Sequence, residues 1–447
     1  MHRSPLAALL TCALIAGPVR AQDAVRTLTL EQAQALAQQS NATLAAVRKR
    51  VEETQRRSAI AFSNYLPRVS TQANFLASDN TRGILLPRGS LGYFAELGGP
   101  FPRSDRTIPQ GGGNLFFAFT TVAQPLTHYF KIREGIGVAR ADEDAGRAGL
   151  RKAEQEVAFG VLQAYAGVLV AMQHREVARE RVAAAELRVS DQTAAVQSGS
   201  ATAVAAQEAR VRLLQSRQDL VAAEGEYEDL SYALADVIGL PAGTALALEV
   251  PPPASAQPAP LAEYVESALR RNPDVLEARA LVDKGTHGVG AAKAEYIPEI
   301  GVLGAHFYQN SVPFFPRSTL AIGAQGTWTI LDFGARKNAL AERQAQLGEA
   351  ERNLERVRGR VRGEVEAAYR KVTRARQTVE LARDAVALAI EASRLRTAAT
   401  SAGYAVATEA RAANADRLEA EMNRMKAEMG YRIALAELDK AAGTLAR

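Results

Sequence analysis

Residues 157–173 read VAFGVLQAYAGVLVAMQ, and a diverged copy of this stretch, VRGEVEAAYRKVTRARQ, occupies residues 361–377. Identical residues recur at a constant distance of 204 positions. They are Val157, Val161, Tyr165, Gln173, Gly199 and Tyr227 in the first copy and Val361, Val365, Tyr369, Gln377, Gly403 and Tyr431 in the second. A constant distance over this length indicates an internal duplication, which sets the frame for the rest of the chain.

A second set of matches lies upstream at a larger distance, 231 positions. It comprises Asn41, Arg48, Val51 and Tyr65-Leu66-Pro67 in the first copy and Asn272, Arg279, Val282 and Tyr296-Ile297-Pro298 in the second. The two distances differ by 27, so the first copy carries 27 extra residues between its two blocks. We expect a first repeat over residues 22–250, a proline-rich linker over residues 251–260 and a second repeat over residues 261–447.

The N-terminus predicts export from the cytoplasm. A basic start, an apolar run over residues 6–16 and a small-residue cleavage site make residues 1–21 a predicted secretory signal peptide. The only cysteine, Cys12, lies in this run; acylation there is an alternative, although Thr11 before it matches a lipoprotein signal poorly. Without the peptide the chain has no cysteine and 52 basic against 49 acidic residues, which gives no case for disulfides or for nucleic-acid binding.

Two long proline-free stretches predict helical hairpins. No proline occurs between Leu126 and Leu240 or after Arg317, and both stretches are rich in good helix formers. Apolar residues recur every seven positions, which predicts coiled-coil packing. Gly199 and Gly403 mark the turns, so we expect hairpins at 131–198 with 203–239 and at 335–401 with 405–443. A solvated structural coiled coil is the alternative interpretation of these stretches alone.

Four further segments predict β-strands. Apolar residues alternate with small or polar ones over residues 319–330, and residues 114–124 are the duplicate of that segment. The other two strands follow the Tyr-x-Pro triplets. Of 26 aromatic residues, 18 lie in residues 62–130 and 296–333, about a quarter of the chain, as in the interfacial girdles of membrane barrels. Strands of about ten residues suit a tilted membrane crossing, although a soluble β-sandwich would also concentrate aromatics.

Four strands are too few for a barrel. About eight are the usual minimum, and open edges are not tolerated in lipid, so several protomers must contribute strands to one barrel. The 27-residue excess falls in residues 78–113, where clustered Gly and Pro predict a long loop between the first two strands. Because barrels place their longer loops outside the cell, we expect this loop to be extracellular.

The duplicated order of helix, strand, strand and long hairpin resembles the TolC family of outer membrane efflux proteins over essentially all of the mature chain. The motifs that carry the resemblance are Tyr65-Leu66-Pro67, Tyr296-Ile297-Pro298, Gln124-Pro125-Leu126 and residues 330–336, ILDFGAR. The resemblance implies a mixed α/β membrane protein: a homotrimer whose four strands per chain form a twelve-stranded barrel, continued by an α-helical tunnel in the periplasm. It also implies a periplasmic adaptor and an inner-membrane pump as partners.

The resemblance also implies a tunnel constriction at the hairpin turns. Glu409 lies six residues past Gly403, where the family often has an aspartate, whereas Ala412 and Ala405 replace a second acid and a basic residue. We expect Glu409 to form a three-fold acidic ring, with Arg411 nearby; Glu208, in the first hairpin, is a weaker candidate. A solvated charge near a helix N-terminus is the alternative.

No residue pattern indicates catalysis, a cofactor or a metal site. Asp332-Phe333-Gly334 lacks the other kinase motifs, and the five histidines have no ligand spacing. An exit duct of a tripartite efflux or secretion system therefore explains the chain best. A structural periplasmic coiled coil without a pore would leave the strand pairs unexplained, and an adaptor would have one hairpin flanked by soluble β-domains.

Overall fold

A computed structural model describes residues 26–77, 83–109, 114–241, 243–244, 246–254, 257–310, 315–404 and 406–445. The predicted signal peptide, with Cys12, lies outside these residues, as do the two ends of the predicted 78–113 loop.

Eight α-helices make up most of the described chain, and four of them are much longer than the rest. They are α1 (Leu30–Ser40), α2 (Ala42–Ser63), α3 (Tyr129–Gln197), α4 (Ala203–Val237), α5 (Leu261–Arg271), α6 (Pro273–Ala294), α7 (Ala335–Ser401) and α8 (Ala407–Ala441).

The described residues also form four strands of ten to twelve residues and six short ones. The strands are β1 (Arg26–Leu28), β2 (Arg68–Ala77), β3 (Gly83–Leu86), β4 (Tyr93–Phe94), β5 (Gly99–Pro100), β6 (Arg106–Pro109), β7 (Asn114–Pro125), β8 (Leu246–Leu248), β9 (Glu299–Gln309) and β10 (Ser318–Thr327). A 3-10 turn spans Ala95–Leu97.

The element bounds repeat at the two sequence distances. α5, α6 and β9 begin 231 positions after α1, α2 and β2, and β10 and α8 begin 204 positions after β7 and α4. β10 ends at Thr327, three residues before the predicted end. Beyond it the Asp332 carboxylate accepts a hydrogen bond from the backbone N–H of Gly334 at 3.0 Å, so the chain turns there toward α7.

The described chain forms two compact units. The sheet unit lies within residues Ala42–Glu156, Gln257–Arg374 and Ala434–Arg447, and the turn unit within Met1–Asn41, Val157–Ala256 and Ala375–Ile433.

The sheet unit contains a four-stranded antiparallel sheet with the strand order β10-β9-β7-β2. Phe119 of β7 lies opposite Gln72 of β2 on one side and Phe307 of β9 on the other. In this register Val69 and Phe75 share a face with Leu320 and Ile322 of β10, as the alternation predicts. Both faces of β10 are exposed within one chain.

The turn unit contains both hairpin turns and a small parallel sheet that the sequence did not predict, in which β1 pairs with β8. Its core is formed by the middle of α3, where Val161, Tyr165 and Leu169 are fully buried. The small residues Ala158, Ala166 and Ala171 are buried beside them and let neighbouring helices approach closely.

The same polar contact closes each repeat. Asn41 donates through Nδ2 to the carbonyl oxygen of Val237 at the end of α4, at 3.2 Å. Asn272 does the same to Ala441 at the end of α8, at 2.9 Å. Each contact lies within one unit and satisfies a carbonyl that the helix end would otherwise leave without a partner.

Candidate pore-lining site at the hairpin turns

Each long hairpin reverses at a glycine in the left-handed region. Gly199, between α3 and α4, has φ +72°, and Gly403, between α7 and α8, has φ +78°. The N–H of Gly199 donates to Val196, and that of Gly403 donates to Thr400, both at 3.1 Å. A side chain is disfavoured at this φ, so the sequence places glycine where each helix must end.

Glu409 lies in the first turn of α8, close to the second hairpin turn. Its carboxylate accepts a hydrogen bond from the guanidinium of Arg396, near the end of α7, and the two groups form an ion pair. Both side chains remain about half exposed, 47% for Glu409 and 58% for Arg396. The Glu409 carboxylate is therefore partly exposed to solvent within one chain, and Arg396 of the same hairpin partly neutralises its negative charge.

Arg411 is paired with Glu180 of α3 rather than with Glu409. Its Nη1 donates to Glu180 Oε1 at 3.1 Å, and Asn414 Nδ2 donates to the same oxygen at 2.6 Å. The Glu180 side chain is only 21% exposed, so these donors compensate a partly desolvated carboxylate. The expectation of Arg411 near a ring of Glu409 stays a prediction, and within one chain the ionic partner of Arg411 belongs to the other hairpin.

Two further contacts join α3 to α8 along the same seam. Thr408 Oγ1 donates to the Asp191 carboxylate, and Arg181 Nη2 donates to Glu419 at 2.5 Å. Glu180 and Asp191 did not stand out in the sequence, because both are single acids among many on a heptad-patterned helix. Only the pairing of the two hairpins gives them a specific role.

An open groove of about 790 Å³ lies beside this seam. Side chains of α3, α7 and α8 line it, and most of them are small or hydroxylic, as at Ser190, Ser393 and Thr397. Glu208 lies elsewhere, on an exposed part of α4, and has neither an ion pair nor a side-chain hydrogen bond to the described residues. The structure thus brings Glu409 and Arg411 to one end of α8 and leaves Glu208 separate.

In each unit, two long elements expose apolar side chains. In the sheet unit the margins are β2 and β10, each with one partner strand among the described residues. In the turn unit, α7 exposes Leu381, Leu388 and Leu395 at heptad spacing. The matching stripe on α4 consists of Val204, Val211, Leu214 and Val221.

The described residues contain no group of three or more His, Cys, Asp or Glu side chains placed to hold a metal ion. One helix, α3, includes a window long and apolar enough to cross a membrane by length and composition. Of that window, 44% is buried inside the chain, and a core helix passes the same test.

A family model decides the identity of the chain. The model for outer membrane efflux proteins matches residues 33–240 and 264–444. The chain belongs to the outer membrane efflux protein family. The two matched segments correspond to the two repeats, and members of this family are transport channels rather than enzymes. The chain is accordingly an outer membrane protein that extends into the periplasm.

A curated relative and several solved structures agree with this assignment. The chain is 25% identical over 383 residues to the outer membrane efflux protein BepC of Brucella suis biovar 1, covering 82% of this chain and 74% of BepC. A membrane protein from Pseudomonas aeruginosa has a TM-score of 0.73 at 18% identity, over 94% of this chain and 91% of that one. The CmeC outer membrane channel of Campylobacter jejuni gives 0.70 at 15%, over 93% and 86%. These structures share the fold of the chain, in which long helices accompany a four-stranded antiparallel sheet.

Proposed function

We propose that three copies of this chain assemble into an exit duct, with one twelve-stranded barrel in the outer membrane and one helical tunnel in the periplasm. The observation that carries the proposal is that the sheet has two open margins, β2 and β10. Backbone N–H and C=O groups at open margins cannot remain unpaired in lipid.

Strand direction supports closure by identical chains. All three pairings in the sheet are antiparallel, so β10 and β2 run in opposite directions. β10 of one chain therefore pairs with β2 of the next in the same antiparallel sense, and three sheets of four strands close without a mismatch. An even strand number is the rule for single-chain bacterial barrels, and the assembled barrel follows it.

The helices of the turn unit can also pack between neighbouring chains. Within the turn unit α3 contacts α8, which leaves α4 and α7 as the two helices with exposed apolar stripes. Leu381 and Leu388 on α7 are 71% and 74% exposed in a single chain. Packing α7 of one chain on α4 of the next would bury both stripes, with small and branched residues at coiled-coil spacing.

The hairpin turns would then form the periplasmic entrance. Three copies of Glu409 would meet around the axis as an acidic ring, with Arg411 holding α8 against α3 of the same chain. Glu208, on the first hairpin, is the alternative ring position. A ring of carboxylates favours cations over anions in a narrow pore.

The partners follow from the family, whose members work in tripartite pumps. We infer that a periplasmic adaptor binds the tunnel and connects it to an inner-membrane pump. A structural periplasmic coiled coil without a pore is the competing function, and the open sheet margins count against it.

Planar-bilayer conductance of the purified protein, measured beside chemical cross-linking of the same sample, tests the proposal. Discrete steps from a cross-linkable trimer are the expected result. A folded monomer, or a trimer that never conducts under any voltage, would favour the structural coiled coil.

A further inference from the structure

Within the long connection of the first repeat, residues 83–109 form short strands of their own and are here called the loop subdomain. β3 pairs with β6 over four residue pairs, and β4 pairs with β5. The N–H of Arg88 donates to the Asp105 carboxylate at 2.7 Å, and Phe94 packs edge-on against Phe101 with ring centroids 6.2 Å apart. The segment is therefore an ordered element with its own hydrogen bonds rather than an open connection.

The loop subdomain exposes an unusual share of apolar side chains. The exposed large apolar side chains range from 44% exposure at Phe101 to 75% at Tyr93. Leu85, Leu91 and Leu97 belong to this exposed set. An apolar surface of this kind on an element that projects from a membrane barrel marks an interaction site, because water solvates it poorly.

Position in the chain identifies the end of the barrel at which this surface lies. The subdomain follows β2 and precedes β7, so it lies at the sheet end where β9 also passes to β10. At that end Phe116 of β7 and Asn310, just after β9, exchange hydrogen bonds of 2.9 and 3.1 Å. The opposite end of the sheet continues into α2, α3, α6 and α7, so the loop subdomain belongs to the extracellular mouth.

We propose that the three loop subdomains of the trimer pack against one another through these apolar side chains and cover the exit of the barrel. The inference rests on the proposed trimer. The occupant of each apolar surface is thus a second copy of the same surface, related by the three-fold axis.

Reach favours this arrangement. Twelve strands about 4.8 Å apart and tilted by about 40° enclose a barrel roughly 24 Å across, so its axis lies about 12 Å from the wall. A four-residue strand such as β3 spans about 13 Å at about 3.3 Å per residue. Each subdomain is therefore long enough to meet its two copies above the lumen.

Charge favours a copy of the chain over the anionic outer leaflet. The subdomain carries three basic residues, Arg88, Arg103 and Arg106, against the acids Glu96 and Asp105. Arg103 also donates a hydrogen bond to the carbonyl oxygen of Leu97 within the subdomain. This near-balance provides little attraction for lipid phosphates. Residues close to a three-fold axis meet their own copies, so apolar side chains there are covered by the same side chains of the other two chains.

The second repeat supplies the design of the decisive variant. Deleting residues 83–109 leaves nine residues between β2 and β7, against eight between β9 and β10. The variant therefore makes the first connection resemble the second. A single cysteine at Gln72, on the polar face of β2, reports access to the lumen, and one at Val69, on the apolar face, is the matched control.

A bulky, membrane-impermeant maleimide added outside intact cells gives the readout. We expect the cysteine of Gln72→Cys to react at least about tenfold faster in the deletion variant than in the full chain, because the cover is gone. The cysteine of Val69→Cys should stay unreactive in both. Equal labelling rates in the full chain and the deletion variant, with trimer and conductance intact, would contradict the proposed cover but not the proposed exit duct. If no trimer forms, both proposals are wrong.

Cross-linking tests the contact itself without any deletion. Tyr93→Cys should yield a disulfide-linked dimer within the trimer under mild oxidation. The triple variant Leu91→Ser, Tyr93→Ser, Leu97→Ser should increase the labelling rate of the cysteine of Gln72→Cys, as the deletion does. If the thiol of the Tyr93→Cys variant never cross-links, and becomes reactive only when detergent removes the outer leaflet, the surface lies on lipid and the proposal is overturned.

Discussion

The hydroxyl oxygen of Tyr165, in the middle of α3, lies 2.8 Å from the carbonyl oxygen of Leu28 in β1. The same hydroxyl lies 2.6 Å from the carbonyl of Glu249, just past β8. Tyr165 is completely buried, and burial raises the pKa of its phenol to about 12. One neutral phenol thus ties the chain segments before α1 and after α4 to the core of the turn unit.

We expect Tyr165→Phe to lower the unfolding free energy by about 1 kcal/mol, since one buried hydrogen bond is lost while the ring still fills its site. Tyr369→Phe is the matched control, because Tyr369 occupies the duplicate position and packs against Tyr264 instead. Thermal unfolding of the detergent-solubilised protein, followed by circular dichroism, measures both. Equal shifts for the two variants would contradict a special role for Tyr165.

Asn272 combines two roles at the junction of α5 and α6. Its Oδ1 accepts from the N–H of Asp274, and its Nδ2 donates to Ala441, both at 2.9 Å. We expect Asn272→Ala to cost about 2 kcal/mol, because a helix cap and a largely buried donor are lost together. Asn272→Asp keeps the capping acceptor but not the donor, so its melting temperature should fall less; a fall as large as that of the alanine variant would assign the whole effect to the donor.

Asp274 joins three helices of the sheet unit. Lys152 of α3 contacts its Oδ1 at 2.9 Å, and Arg360 of α7 contacts its Oδ2 at 2.6 Å. Burial alone would raise the pKa of this carboxyl, but the hydrogen bonds and charges of Lys152 and Arg360 together outweigh burial and lower it. The folded state therefore binds the proton less tightly than the unfolded state does.

A lowered folded-state pKa makes this stabilisation depend on pH in one direction. It is fully present above the unfolded-state pKa, near 3.8, and is lost as the pH falls through the folded-state value. Asp274→Asn should lower the melting temperature at pH 7 by an amount that shrinks below about pH 4. Glu355→Gln removes an exposed pair with Arg352 and should change stability by less than about 0.5 kcal/mol at either pH.

Local sequence signals were sufficient for the long helices, the four long strands and the duplication. Proline-free heptads predicted the hairpins, and Gly199 and Gly403 predicted the turns to within a few residues, because helix ends depend on local backbone conformation. β1 and β8 gave no such signal. They are three residues long and more than 200 positions apart, so neither has a period to detect.

The candidate site was predictable only in part. Glu409 came from the family resemblance, as the acid six residues past Gly403, and its place in a pore ring stays a prediction. Its partner Arg396 and the pairing of Arg411 with Glu180 depend on which faces of α3, α7 and α8 meet. Many Arg and Glu residues share those helices, and sequence alone does not rank them.

Glu409 gives a prediction for ion selectivity. The positive charge of Arg396 partly neutralises the negative charge of Glu409. Glu409→Gln should therefore reduce the cation preference of the channel, and Arg396→Gln should increase it. Reversal potentials in a salt gradient measure both variants, and Glu208→Gln is the comparison for the other candidate. If Glu208→Gln alone changes the reversal potential, the constriction belongs to the first hairpin.

The pairing of Arg411 with Glu180 gives a prediction for opening. Both side chains lie on the seam that holds α8 against α3, and Asn414 donates to the same carboxylate. Arg411→Ala removes the cation and leaves Glu180 partly buried with one donor, so the seam should loosen and single-channel conductance should rise. Arg352→Ala, far along α7 in an exposed pair, is the matched control and should conduct like the original chain. Glu180→Gln keeps hydrogen-bonding capacity but removes the charge, so its conductance should lie between those of Arg411→Ala and Arg352→Ala. An unchanged conductance in Arg411→Ala would mean that the contacts between α3 and α8 do not restrain the entrance.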